Sequence, residues 1–262
     1  MWVDSHVNFE DERLKSDLDG VLERAYQQDI LYFLNICSKI KDFPEIIGLA
    51  NSHDNIWASV GTHPHHSGED TETPVTTDDI VKLVNDNERV IAIGETGLDY
   101  YYNHSEPDAQ RASFRKHIRA CVETELPMII HARDADQEIQ DIIEEEAPNG
   151  QLKGILHCYA SGRGLAEWGV NYGLYVSFSG IVTFKNANDI KEIAKEVVPL
   201  ERLLIETDAP YLAPVPKRGR VCEPSLLIHT AEYLADLKGV DLKVIEDYTT
   251  SNFFKLFKRA KR

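Results

Sequence analysis

The chain is short of positive charge. Across 262 residues, 28 Lys and Arg stand against 44 Asp and Glu, a formal net charge of −16. Such a surface repels polyanions at long range, which argues against a protein that coats nucleic acid generally. It leaves room for a nucleic-acid enzyme with a local cationic or metal-lined cleft, and it attracts metal cations. Cysteine is scarce too: Cys37, Cys121, Cys158 and Cys222 are the four, and no two form a CxxC pair. A zinc ribbon and a thioredoxin-like motif are thereby excluded. No apolar run approaches the roughly 18 residues of a membrane span. The first residues carry Asp4 and His6 where a secretory leader has basic and apolar regions, so the expected location is cytoplasmic. No GxGxxG, Walker A, GxSxG or HExxH pattern occurs. Dinucleotide, NTPase, serine-hydrolase and zincin chemistry therefore has no motif to stand on. No linker, low-complexity tract or repeat divides the chain, and residues 1–262 read as one domain.

What the chain does have is enough length to bury a core. A mass of 29.7 kDa predicts a folded surface of roughly 11,600 Å² against roughly 43,000 Å² for the unfolded chain. Short apolar, β-rich runs recur at Trp2 to His6, Ile30 to Ile36, Ile56 to Thr62, Arg89 to Glu95, Pro127 to His131, Lys153 to His157, Leu174 to Gly180 and Arg202 to Thr207. The spacing leaves room for one helix after each. Leu18, Val21, Leu22 and Ala25 mark one helical face, with Ser16 or Asp17 before it, and Ile80, Leu83 and Val84 mark another. Ser105 is the expected cap of a helix that opens with Pro107 and Asp108. Phe114, Ile118, Cys121 and Val122 follow on one face of that helix, and Tyr233, Leu234 and Leu237 belong to a later one. Strands alternating with helices predict an α/β protein with a parallel sheet covered on both faces. At this length the (β/α)8 TIM barrel fits best, ahead of an open doubly wound sheet.

The polar residues sit where those strands end. His6, Glu95, His131 and His157 close four of the runs, and Asp208 follows the last at once. The C-terminal ends of barrel strands form one rim, where active sites are built. These five residues are therefore candidate ligands converging on one point, for Zn²⁺, Mn²⁺, Ni²⁺, Fe²⁺ or Mg²⁺. Two ions are allowed, with Glu95 as a bridge, His131 and His157 on one and His6 and Asp208 on the other. Asp208 is also the candidate general base for a metal-activated water. Glu206, two residues earlier, is placed to support a ligand. His63, in His63-Pro64-His65-His66, and Arg133 are candidate phosphate contacts. Tyr100, Tyr101 and Tyr102 could stack on a base or pack over the rim. Ser161 to Gly164 and Lys217 to Arg220 are further anion candidates, whereas the basic run Lys255 to Arg262 reads as a solvated helix end.

In these residues the chain resembles the TatD family of metal-dependent deoxyribonucleases, most of all its YcfH-like branch. The segments that carry the resemblance are Val3-Asp4-Ser5-His6, Gly61-Thr62-His63-Pro64-His65, Ile93 to Tyr102, His131-Ala132-Arg133-Asp134-Ala135, Leu156-His157-Cys158-Tyr159, Val176 to Phe184, Leu204 to Leu212 and Pro214-Val215-Pro216. Ser251-Asn252-Phe253 fits as well. The resemblance implies an amidohydrolase-type (β/α)8 barrel and divalent-metal-dependent hydrolysis of DNA phosphodiesters, often 3′→5′ on single strands. It implies His6, Glu95, His131, His157 and Asp208 as metal ligands, with one or two ions per chain (Mg, Mn or Zn). The implied partner is DNA, at single-stranded ends, with no membrane and a monomer as the default.

One departure is plain. Many members of the branch begin with His-x-His, where this chain has His6-Val7-Asn8. Asn8 shares a strand face with His6, and its amide is a harder, neutral donor that suits Mg²⁺ better than a soft metal. Two other readings follow from the same residues. One is a metal-dependent ester or amide hydrolase, such as an aminoacyl-tRNA deacylase. The other is a barrel of low activity that works as a binding protein.

Overall fold

The computed structural model describes residues 1–261. Eight strands pair in parallel, each with its sequence neighbour. They are β1 (Trp2–Val7), β2 (Ile30–Asn35), β3 (Ile56–Val60), β4 (Val90–Asp99), β5 (Met128–Arg133), β6 (Gly154–Leu156), β7 (Tyr175–Phe178) and β8 (Leu203–Ile205). Between them run α1 (Leu18–Tyr26), α2 (Phe43–Ser52), α3 (Thr77–Asp86), α4 (Pro107–Thr124), α5 (Asp136–Glu146), α6 (Arg163–Tyr172) and α7 (Asn188–Glu196). After β8 come α8 (Leu227–Lys238) and α9 (Leu242–Leu256). A nearly closed (β/α)8 barrel results, as expected. Its accessible surface is 11149 Å², close to the area that mass alone predicts.

The seam between β8 and β1 is held by few backbone bonds. The Asp208 N–H donates to the His6 carbonyl at 3.1 Å, and the Asn8 N–H to that of Ala209 at 2.9 Å. Side chains add to them: the buried Asp4 carboxylate accepts from the Thr207 N–H at 2.9 Å and the Thr207 hydroxyl at 2.5 Å, and the Ser5 hydroxyl donates to the Ile205 carbonyl at 2.9 Å. Burial lifts the Asp4 carboxyl to about 7 despite those bonds.

Strand alternation divides the apolar residues into two sets. Phe33, Ile56, Val90, Met128, Leu156, Val176 and Leu203 face outward into the helix layer. Val3, Leu34, Trp57, Ile91, Ile129, Ile155, Tyr175 and Leu204 face the barrel interior. These lie early in their strands and fill the N-terminal end of the barrel. Phe253, Leu256, Phe257 and Ala260 complete that cluster. The expected solvated end at Lys255 to Arg262 is thus corrected for its described part. Phe257 and Ala260 are buried, and Arg259 Nη1 donates to the Val84 and Val90 carbonyls at 3.1 and 3.2 Å. This segment plugs the barrel; Arg262 lies outside the described residues. Asn252 ties the plug to β8 by donating to the Leu200 and Leu203 carbonyls.

Two local expectations also change. Glu106, not Ser105, precedes α4, and it makes no capping bond. The Ser105 hydroxyl instead bridges two loops, donating to the His65 carbonyl and accepting from the Gly68 N–H. Val122 is exposed, so the buried face of α4 runs through Phe114, Ile118 and Cys121 without it. Among the described residues, no helix is long and apolar enough to cross a membrane.

Candidate metal centre

The interior layer above the apolar plug is polar, and alternation explains why. His131 lies two residues after inward-facing Ile129, His157 two after Ile155, and Glu206 two after Leu204. Each therefore projects into the barrel mouth. Glu95 reaches the same space through an irregularity in β4, whose register against β5 shifts between Ile93 and Thr96. Gly94 and Gly97 have φ of +130° and +146°, a region that favours glycine. A Cβ on Gly94 would lie 2.6 Å from the Ile129 carbonyl oxygen, and one on Gly97 would collide with the His131 carbonyl. The two glycines let β4 press against β5 while Glu95 turns inward.

Glu95 is the hub. Its Oε1 lies 3.2 Å from His63 Nε2, 3.0 Å from His131 Nδ1 and 2.7 Å from His157 Nε2. Its Oε2 lies 3.3 Å from His6 Nε2. Asp208 Oδ1 stands 3.6 Å from the same His6 nitrogen. The five candidate ligands thus meet at one rim. Their closest groupings differ from the partition that the strand order suggests. His6, His157 and Asp208 form one set of converging ligand atoms, and His63, Glu95 and His131 the other. The reason is that His157 stacks on His6, with ring centroids 4.1 Å apart and planes within 8°.

A divalent cation fits this donor set. His6 is fully buried and its Nδ1 has no partner among the described residues, while Nε2 of His6 and of His157 face the Glu95 carboxylate at 3.3 and 2.7 Å without hydrogen-bond geometry. A buried polar atom without a partner costs about 1–3 kcal/mol, and a cation among these nitrogens and carboxylates would remove that cost. Imidazole and carboxylate together suit zinc, manganese or magnesium. The opposite nitrogens are held as metal-bound histidines usually are, by carboxylates. His157 Nδ1 lies 3.2 Å from Glu206 Oε1, and His131 Nε2 lies 3.0 Å from Asp99 Oδ2. Those bonds leave Nε2 of His157 and Nδ1 of His131 as the atoms that face Glu95.

His63 differs. Its Nδ1 accepts from the His65 N–H at 3.1 Å, which puts the ring proton on Nε2. That nitrogen is then a donor toward Glu95 and the cavity. Burial pushes His63 down to about 4, against the pull of Glu95. Burial also works against charge on Glu95, but His157, His63 and His131 outweigh it and hold the carboxyl well below its usual range. Burial disfavours charge on His157 as well, yet Glu95 and Glu206 raise it. Asp208 has less help from His6 and His157, and burial lifts it to about 6. No helix follows Asp208, which takes φ +55°; it is not a helix cap. Asn8 is buried, and its Nδ2 donates to the Ala209 carbonyl at 3.0 Å, leaving Oδ1 as its remaining donor atom.

Sequence reading missed Asp99 as part of the site. It lies four residues after Glu95 on β4 and is fully buried. Asp99 Oδ2 meets His65 Nε2 at 2.9 Å as well as His131 Nε2, and its backbone is clamped by Gln110. The even spacing from Glu95 was the available signal. Of the three tyrosines, Tyr100 packs and bonds to Glu138, whereas Tyr101 and Tyr102 are exposed at the mouth. Arg163 is occupied by Glu167, Glu192 and Glu196 and is not free for an anion. A cavity of about 590 Å³ opens over the cluster, lined by His63, Glu95, His131, His157, Asp208 and Arg133 among others.

The family model described as TatD related DNase matches residues 3–258. A protein named uncharacterized metal-dependent hydrolase YcfH, from Escherichia coli (strain K12), is 40% identical over 97% of this chain and 95% of its own. A protein named 3′-5′ ssDNA/RNA exonuclease TatD, from Salmonella typhimurium, is 33% identical over 97% of this chain and 98% of its own. Among solved structures, YjjV, a TatD homolog from Escherichia coli K12, superposes with a TM-score of 0.90 at 21% identity, covering 98% of each chain. That likeness shows the fold alone.

Proposed function

The chain belongs to the TatD family of metal-dependent hydrolases, and we propose that within it this protein is a deoxyribonuclease that removes nucleotides from the 3′ ends of single-stranded DNA. Its residues 1–262 act as one catalytic barrel. His6, Glu95, His131, His157 and Asp208 would hold one or two divalent ions (Mg, Mn or Zn). The bound ions supply Lewis acidity and lower the pKa of a water molecule. Asp208 takes the proton of the attacking water, since its carboxylate stands at the edge of the cluster beside the cavity. His63 presents an N–H to a phosphoryl oxygen, because its other nitrogen is spent on the His65 amide. Glu206 and Asp99 keep His157 and His131 turned toward Glu95. The relative named as an ssDNA/RNA exonuclease supports the substrate class.

The observation that carries this reading is the ring of four histidine nitrogens within 3.3 Å of the Glu95 carboxylate, two of which, Nε2 of His6 and of His157, are buried without a hydrogen bond. The test is degradation of a 5′-labelled single-stranded oligonucleotide with Mg²⁺ or Mn²⁺, beside His131→Ala and an EDTA control. A ladder shortening from the 3′ end, absent in the variant and in EDTA, is expected. Intact DNA in the presence of bound metal, with turnover of nitrophenyl esters or aminoacyl-tRNA, would move the assignment to ester hydrolysis.

A further inference from the structure

The mouth of the cavity carries features that the metal cluster does not use. Tyr101 and Tyr102 are 59% and 50% exposed, so they are not core residues that happen to lie high in the barrel. Their rings meet edge to face with centroids 4.9 Å apart. The Arg133 guanidinium lies over both, 4.3 Å from the Tyr101 centroid and 4.7 Å from that of Tyr102. Tyr102 stacks in turn on His104, with planes within 4°.

Arg133 is unpaired, as Arg218 and Arg220 also are, but of the three it is the one that lines the cavity over the metal cluster. Among the described residues its guanidinium has no hydrogen bond and no carboxylate partner. Arg13, Arg24, Arg111, Arg115, Arg119 and Arg163 are all paired with acids. In a protein of net charge −16, an arginine left unneutralised keeps five N–H donors and a full charge for an anion. Its position is equally specific. Arg133 is two residues beyond His131 on β5, so its backbone sits about 6–7 Å further along the rim. It lines the cavity over the metal cluster and also a neighbouring groove of about 880 Å³. Tyr102 borders the first and Tyr101 the second. The groove runs on past Ser161 and Gly162 to Asn186 and Ile190, and Asp134, Asp136, Asp189 and Glu192 line it as well, so Arg133 is the cation that an anion would meet at its edge.

Resting on the nuclease reading above, we infer that Arg133, Tyr101 and Tyr102 form a clamp for the nucleotide adjoining the scissile phosphate. Arg133 binds the neighbouring phosphate, and Tyr101 and Tyr102 stack on the unpaired base. Exposed aromatic faces beside a cation suit any base, because every base has a π-face. They do not suit a paired one, whose faces are already stacked. The clamp therefore selects single strands without selecting sequence.

The test is equilibrium binding in EDTA, where no cleavage occurs, read by the anisotropy of a fluorescein-labelled oligodeoxynucleotide. The double variant Tyr101→Ala/Tyr102→Ala is expected to raise Kd about tenfold or more, and its side chains are exposed enough to be removed without unfolding the barrel. Arg133→Ala is expected to weaken binding and to lower the slope of log K against log salt by about 0.7, one single-strand phosphate contact. Arg133→Lys should restore the slope but not the affinity, because the ammonium keeps the charge and loses the stacking plane. The same labelled strand in a blunt duplex should bind more weakly than the single strand to the wild type and lose that difference in the tyrosine variant. An unchanged Kd and an unchanged salt slope in these variants would overturn the inference. Weakened binding in the variants, with no hydrolysis by the wild type once Mn²⁺ is restored, would uphold the clamp and refute the nuclease. Hydrolysis of single strands by wild type and variants with equal KM would do the reverse.

Discussion

Replacing Glu95 by glutamine keeps the shape of the hub and removes its charge. The carboxylate lies 2.7–3.3 Å from four imidazole nitrogens, so the amide leaves a neutral, weaker donor at the point where the candidate ligands meet. Disturbing even a residue behind a metal ligand lowers affinity 10–100-fold; loss of the shared anionic ligand should cost at least about 100-fold. The consequence can be read as stability. A metal at 100 times its Kd stabilises the folded chain by about 2.7 kcal/mol. A 100-fold weaker site at the same concentration gives RT ln 2, about 0.4 kcal/mol. For a chain of this size each kcal/mol moves Tm by about 2–4 °C. Wild type should therefore gain about 5–11 °C in saturating Mn²⁺ over EDTA, and Glu95→Gln about 1–2 °C. Differential scanning calorimetry across a Mn²⁺ titration measures both. An equal metal-induced shift in the two proteins would refute the reasoning, because Glu95 would then not touch the ion.

Three further outcomes are expected. Asp99→Asn removes the carboxylate that faces His131 and His65 and should weaken metal binding about 10–100-fold, measured by isothermal titration, while circular dichroism stays that of the wild type. Gly97→Ala drives a Cβ into the His131 carbonyl at φ +146°; it should cost about 1–3 kcal/mol or more in urea unfolding and reduce activity by moving β4 against β5. Glu10→Gln tests a carboxyl that burial lifts to about 8. Its folded form binds more protons than the unfolded chain between about 4.5 and about 8, so wild-type stability falls as pH rises through that window. The variant lacks this term and should gain on wild type by an order of a few kcal/mol between pH 5 and pH 8.5; urea midpoints that track each other across that range would count against it.

Much of the fold was legible because a parallel barrel writes itself as repeated apolar runs. Ile129-Ile130 before His131 and Ile155-Leu156 before His157 are buried on both faces, so the run is continuous and its polar end stands out. Glu95 was legible in the same way, as the polar end of the run Arg89 to Glu95, although the strand continues to Asp99. The strand was read as ending at Glu95, and that hid Asp99. Ser105 misled because its hydroxyl serves the backbone of the loop after β3, at His65 and Gly68, which it meets only in the folded chain. The basic C-terminal segment misled because its lysines and arginines alternate with Phe257 and Ala260, whose burial depends on an open barrel end that no local pattern announces.

By itself the sequence determined the barrel, most of its strand ends and which polar residues crowd its rim, since periods of two and 3.6 residues and the order of polar ends are local properties. The tertiary structure alone decided which atoms face which. The stacking of His157 on His6, the donor state of His63 imposed by the His65 amide, and the glycine-flanked turn of Glu95 depend on contacts between strands far apart in the chain. The same holds for Arg133. Its lack of an acidic partner and its place over two tyrosines are facts about neighbours. Neighbours across a barrel are set by closure of the sheet, which no stretch of sequence encodes alone.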